Sequence, residues 1–217
     1  MERYFILDKK NTWYDWRLVL TAKDVTPPTP KTNYVKIDGM SGSLDLSESL
    51  TGEITYEDRT ITASFWTSEG TRKERDKLLK DIIATLHGKK IKIIEPDDPE
   101  RYFYGRVKVN SISNTLSYAS FSIEATCDPW RYAINESTRT AEVYNTSLSL
   151  VINNNGVKTL SPIITVTGSV DVTYKGVKSS LTDGTYKISD IRLYRGSNVI
   201  DVSGTGSVSF TYREADL

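Results

Sequence analysis

Cysteine, histidine and long apolar runs are all scarce in this sequence, and each scarcity removes a class of protein. The 217 residues include one cysteine, Cys127. No internal disulfide can form, so a small secreted domain stapled by bridges is excluded. His87 is the only histidine. Together these two residues fall short of the several His or Cys ligands that a zinc site uses. A Ser-His-Asp or Cys-His catalytic arrangement would have to be built on His87. No stretch approaches the roughly 20 apolar residues of a membrane helix, and the apolar run in MERYFILDKKNTW is too short for a signal peptide. Net charge is missing as well: 28 basic and 28 acidic residues cancel. That balance gives no long-range pull toward nucleic acid or anionic lipid. Gly39, Gly42 and Gly52 punctuate turns, and no Gly-x-x-x-x-Gly-Lys-Ser/Thr run occurs. The chain is expected to be made in a reducing cytoplasm. It is expected to have no catalytic, cofactor-binding or metal-binding residues, no membrane partner and no sequence-specific nucleic-acid partner.

What is present is mostly β. Leu18-Val19-Leu20-Thr21, Asn33-Tyr34-Val35-Lys36-Ile37 and residues 53–66 (EITYEDRTITASFW) carry the Thr, Ile and aromatic content of strands. So do residues 90–95 (KIKIIE) and 102–113 (YFYGRVKVNSIS). Residues 116–126 alternate, with Leu116, Tyr118, Ser120, Ser122 and Glu124 on one face and Phe121 and Ile123 on the other. Pro27-Pro28-Thr29-Pro30 and Pro96-Asp97-Asp98-Pro99 break the pattern.

One segment has the helical period instead. In residues 71–86 (TRKERDKLLKDIIATL), Leu78, Leu79, Ile82, Ile83 and Leu86 form an apolar stripe opposite a charged side. Thr71 and Glu74 have capping-box spacing, and Gly88 suits a left-handed stop. Burying these aliphatics at about 1.5–3 kcal/mol each would hold the helix on a sheet. His87 then falls in the last helical turn, a structural position.

After Cys127-Asp128-Pro129-Trp130-Arg131-Tyr132 the composition shifts toward Ser, Thr, Asn and Gly. Short strands are expected at residues 148–152, 163–167, 170–174, 191–194, 199–202 and 208–212. Asn155-Gly156, Asp183-Gly184, Gly196-Ser197-Asn198 and Gly204-Thr205-Gly206 read as turns between them. Two domains follow. Residues 1–133 form a β-sandwich or barrel-like domain with one amphipathic helix, and residues 134–217 form a smaller β-sandwich.

The carboxylates show no catalytic grouping. Asp97, Asp98 and Glu100 occupy a Pro-flanked turn, and Asp45, Glu48, Glu53, Glu57 and Asp58 are spread over a strand-rich region. Trp13, Trp16, Trp66 and Trp130, with the tyrosines, suit a core, a protein interface or a sugar-stacking platform.

The order of several motifs resembles the distal tail proteins (Dit) of phages with long non-contractile tails that infect Gram-positive bacteria. The likeness begins at Trp16-Arg17-Leu18-Val19-Leu20-Thr21, before a Pro-containing loop. It continues through Val35-Lys36-Ile37-Asp38-Gly39-Met40-Ser41-Gly42-Ser43-Leu44-Asp45-Leu46-Ser47 and Tyr56-Glu57-Asp58-Arg59-Thr60-Ile61. Leu86-His87-Gly88-Lys89, Tyr104-Gly105-Arg106-Val107 and Asp128-Pro129-Trp130-Arg131-Tyr132 follow. Leu193-Tyr194-Arg195-Gly196-Ser197-Asn198-Val199-Ile200 and Phe210-Thr211-Tyr212-Arg213-Glu214 complete the set. Asp38, where the family commonly has proline or a small residue, and Ala63, small for a strand core, depart from it.

The resemblance implies a non-enzymatic virion protein. Its first domain would form a hexameric hub ring joining the tail tube to the tail tip or baseplate around the DNA channel. Its second would be a galectin-like or carbohydrate-module-like sandwich. Implied partners are further copies of the chain, the tail tube protein, a tail tip, fibre or lysin protein, and a receptor-binding protein. A ring needs two dissimilar subunit faces, which loops such as residues 22–30 would supply. The alternative reading is a carbohydrate-binding module for host recognition, resting on the second domain.

Overall fold

Two alternating strands pair with matched side-chain sizes, and the first half of the molecule is built around them. The computed structural model describes residues 4–217. Strands β1 (Ile6–Leu7), β2 (Lys10–Asn11), β3 (Val19–Val25), β4 (Tyr34–Val35), β5 (Leu44–Asp45) and β6 (Arg59–Thr67) precede helix α1 (Arg72–Leu86). Strands β7 (Lys90–Ile94), β8 (Arg101–Asn114) and β9 (Ala119–Cys127) follow it. They make an antiparallel sheet in the order β2-β1-β7-β8-β9-β6-β3.

Along β6 every second residue is buried: Arg59, Ile61, Ala63, Phe65 and Thr67. Their partners on β9 are Cys127, Ala125, Ile123, Phe121 and Ala119. A large side chain thus faces a small one at Ile61–Ala125 and at Ala63–Ile123, which is why alanine fits the strand core at position 63. The rings of Phe65 and Phe121 stack at 5.4 Å, and Phe5 meets Phe65 edge-on.

The helix closes one side of this core. Thr71 Oγ1 accepts from Glu74 N, and the Glu74 carboxylate accepts from Thr71 N at 2.7 Å, so the capping box forms as its spacing suggests. Leu79, Ile82 and Leu86 are buried in the cluster with Phe5, Phe65 and Phe121, while Leu78 and Ile83 lie at its margin. His87 is the C-cap, outside the last helical turn, and Gly88 follows at φ +76°.

The chain divides into two compact units, residues 1–131 with Leu217, and residues 132–216. Strand β10 (Arg131–Ala133) lies at the division. In the second unit are β11 (Ser137–Asn154), β12 (Ile163–Tyr174), β13 (Val177–Leu181), β14 (Gly184–Tyr186), β15 (Gly196–Tyr212) and β16 (Ala215–Asp216). A five-stranded antiparallel sheet runs β11-β15-β12-β13, with β14 also on β12.

Here the strands are fewer and longer than their composition suggests. Residues 199–202 and 208–212 are halves of β15, and residues 163–167 and 170–174 are halves of β12. Gly204-Thr205-Gly206 is therefore a mid-strand bend and not a turn. Gly168, Gly204 and Gly206 have φ of +95°, +116° and +150°, and a Cβ at any of them would lie 2.5 Å or less from a backbone oxygen of the adjoining strand. The sheet curls across this line, and the residues on both sides share one core: Val166, Val170, Val172, Ile200, Val202, Val208 and Phe210. Residues 191–194 form no strand, only an isolated bridge from Leu193 to Leu160.

Strand β11 follows the curl by a different device. It buries Ala141 and Val143 on one side of Asn145, and Ile152 and Asn154 on the other. Asn145 sits at φ +49°, and the pairing with β15 skips it. One bulged residue shifts the in-out alternation by one, so odd positions face the core before it and even positions after it.

Candidate functional surface

Between β3 and β6 the chain leaves the first unit's sheet as an arm. Thr26 N donates to Thr60 O, Glu57 N to Thr29 O and Lys31 N to Thr55 O, so the two legs run antiparallel. The β4–β5 hairpin extends them, with Tyr34 opposite Asp45 and Val35 opposite Leu44. Gly39 and Gly42, both with positive φ, turn the tip. The separate strands expected at residues 33–37 and 53–58 are parts of this arm, and strand β3 reaches Val25, well into the expected loop at residues 22–30.

The base of the arm is fixed by a buried arginine. Arg59 is 5% exposed. Its Nε donates to Thr26 O at 3.1 Å, its Nη1 donates to Pro129 O at 3.2 Å, and its guanidinium lies 5.1 Å from the Phe103 ring centre. Tyr56 packs edge-on against Trp130 at 5.5 Å. Beyond the base, large apolar groups face outward: Tyr34, Val35, Ile37, Met40, Leu44 and Leu50, the last 98% exposed. Scattered surface apolar residues are ordinary, but a contiguous series on one projection marks an interaction surface.

A charged groove of about 470 Å³ lies elsewhere on the first unit. His87, Lys90, Arg106, Lys108, Glu124 and Asp128 line it. Lys90 Nζ bonds Asp128 Oδ1 at 3.0 Å, and this bond holds the Lys90 pKa above its ordinary value. His87 Nδ1 accepts from Val109 N at 3.2 Å. Arg106 Nη1 donates to Gly88 O. These groups are engaged with one another and with the backbone.

The candidate carboxylates are not brought together for acid–base work. Asp98 accepts from Arg131 Nη1 at 3.3 Å, and Asp97 pairs with Lys23 at 2.7 Å. Asp45 lies on the arm, where Ser47 bonds hold its pKa below the usual carboxylate range. Glu74 and Asp171 are also held low, by bonds from Thr71 and from Ser180 and Lys178 respectively. A general acid at neutral pH needs the opposite shift. Cys127 is buried, and desolvation, followed by the neighbouring Asp128 charge, pushes its thiol up to about 12, far from a nucleophile's range. Among the described residues no His, Cys, Asp and Glu group is placed to hold a metal ion, and no helix is long and apolar enough to cross a membrane.

Trp16 is buried, whereas Tyr14, Tyr34, Tyr144 and Tyr194 are exposed. Sequence periodicity missed the arm because its apolar residues follow a strand-like rhythm without a sheet to cover them. The available signal was the cluster of turn glycines between two apolar pairs.

Comparison with known proteins gives a consistent result. No curated protein sequence matches the chain. The crystal structure of the Dit protein (gp 19.1) of phage SPP1, titled a paradigm of the hub adsorption apparatus in phages infecting Gram-positive bacteria, superposes with a TM-score of 0.72. The match covers 99% of both chains at 16% identity, so it speaks for a shared fold. A family model described as the phage tail protein RIFT-related domain matches residues 19–127, half of the chain. The chain belongs to this family of phage tail proteins and is a component of the virion tail.

Proposed function

We propose that the chain is a distal tail subunit that closes into a hexameric hub ring between the tail tube and the tail tip or baseplate. The ring surrounds the channel through which DNA passes. The domain of residues 1–133 forms the ring, and residues 134–217 form a peripheral domain. The partners are further copies of the chain, the tail tube protein, tail tip, fibre or lysin proteins, and receptor-binding proteins.

The observation that carries this reading is the arm. A cyclic ring needs a surface on each subunit that meets a dissimilar surface on the next. The arm, with Ile37, Met40, Leu44 and Leu50 exposed, is such a one-sided surface, anchored rigidly by Arg59. Each of these side chains gains about 1.5–3 kcal/mol when fully buried, so covering them favours assembly strongly. The fold shared with a protein titled as a hub component adds support.

Native mass spectrometry on the purified chain is the direct test. A species with the mass of six chains is expected. A strict monomer at every concentration, with no retention of tail tube protein, overturns the reading.

A further inference from the structure

The outer side of the curl in the second unit carries a groove of about 320 Å³. It is lined by Glu142 and Tyr144 from β11, Thr205 and Ser207 from β15, and Thr167 from β12, over the backbone of Gly168 and Gly206. The pairing register arranges these residues in two rows. Glu142 faces Ser207, which faces Thr167; Tyr144 faces Thr205. The rows are two residues apart along each strand, about 7 Å.

Tyr144 is 77% exposed, although its neighbour Val143 is buried in the core. The bulge at Asn145 holds that arrangement. Asn145 N donates to Thr205 Oγ1 at 3.3 Å, and Thr205 Oγ1 donates to Asn145 Oδ1 at 3.0 Å. The residue after Tyr144 is thus tied to the facing strand, and the tyrosine ring stands beside a floor that lacks side chains.

We propose that this groove is a binding subsite for a pyranose residue of a polysaccharide. An aromatic ring next to an open floor offers a face to the C–H surface of a sugar. A carboxylate and hydroxyls one row away offer acceptors and donors to its hydroxyl groups. The two-row separation suits one ring laid across Gly206, with its apolar face on Tyr144 and its vicinal hydroxyls toward Glu142 and Ser207. The ligand is a neutral or amino sugar, because Glu142 disfavours an anionic one. This inference is independent of ring assembly, which rests on the arm.

Saturation-transfer NMR of the full chain with methyl glycosides of glucose, galactose and N-acetylglucosamine tests it. Transfer from protein to at least one sugar is expected, with millimolar affinity. The Tyr144→Ala variant should weaken binding about tenfold, near 1.4 kcal/mol, while Tyr144→Phe keeps it. Glu142→Gln should weaken it without shifting the melting temperature, since the side chain is exposed. No transfer from any of the three glycosides overturns the proposal, and so does transfer that both Tyr144→Ala and Glu142→Gln leave unchanged.

Discussion

The hydroxyl of Tyr174 lies 2.9 Å from the side-chain oxygen of Asn198, and both residues are buried. Asn198 also donates through Nδ2 to the carbonyls of Ile152, Tyr194 and Gly196, and its oxygen accepts from Tyr194 N. One amide therefore organises the loop that enters β15. Replacing Asn198 by Ala leaves several buried groups without partners, each costing about 1–3 kcal/mol. A loss of at least about 2 kcal/mol in urea unfolding is expected, against about 1 kcal/mol for Tyr174→Phe. Equal, small losses for the two variants would show that the amide does not carry the loop.

Gly206 should tolerate no side chain. Its φ is +150°, and a Cβ there would meet Thr167 O at 2.2 Å. Gly206→Ala is expected to cost about 2 kcal/mol or more through strain and strand displacement. Gly39→Ala, with open space around its Cβ, should cost less. Thermal unfolding of the two variants side by side makes the comparison.

The arm base depends on Arg59. Arg59→Leu removes two bonds to buried carbonyls and a cation–ring contact, a loss of about 2–4 kcal/mol. The sharper readout is limited proteolysis. Cleavage within residues 26–58 should appear sooner in the variant than in the parent, and unchanged cleavage there would separate Arg59 from arm anchoring.

Cys127 should react only when the fold opens. With its thiol pushed up to about 12, it is almost wholly protonated at pH 8 as well as buried. Labelling by a disulfide reagent should be slow in buffer and fast in denaturant. The pH dependence has a definite sign. The folded-state pKa lies above the unfolded value, so the stabilisation is fully present below the unfolded pKa, near 9.0, and declines as pH rises toward about 12. Cys127→Ala should flatten unfolding free energy against pH in that window.

Assembly should fail when the arm becomes polar. Ile37→Asp, Leu44→Asp and Leu50→Asp combined alter exposed positions, so the melting temperature of the dissociated subunit should hold. Light scattering should show loss of the ring. Retention of the parent mass would move the ring contact away from the arm.

Much of the first unit was legible in the sequence because its signals are local. The helix announced itself by a capping box and an apolar stripe, and β9 by strict alternation. Ala63 became intelligible only with its partner Ile123 in view, because size matching across strands is invisible along one strand. In the second unit, Gly204 and Gly206 have the composition of a turn. Whether glycine ends a strand or bends it depends on what the neighbouring strands do. The arm and the Tyr144 groove lay beyond sequence reasoning for a related reason: a strand-like pattern does not say whether a sheet covers it.

The bulge at Asn145 sets a rule for how this chain can change length. Removing that one residue would turn the nine positions of β11 that follow it inside out, sending Ile152 toward solvent and Val151 and Asn153 toward the core. Removing two residues beyond it would leave each remaining side chain on its present side. Length variation along this strand should therefore be tolerated in twos, and a natural or engineered shortening by one should arrive only with a compensating single-residue change elsewhere in β11.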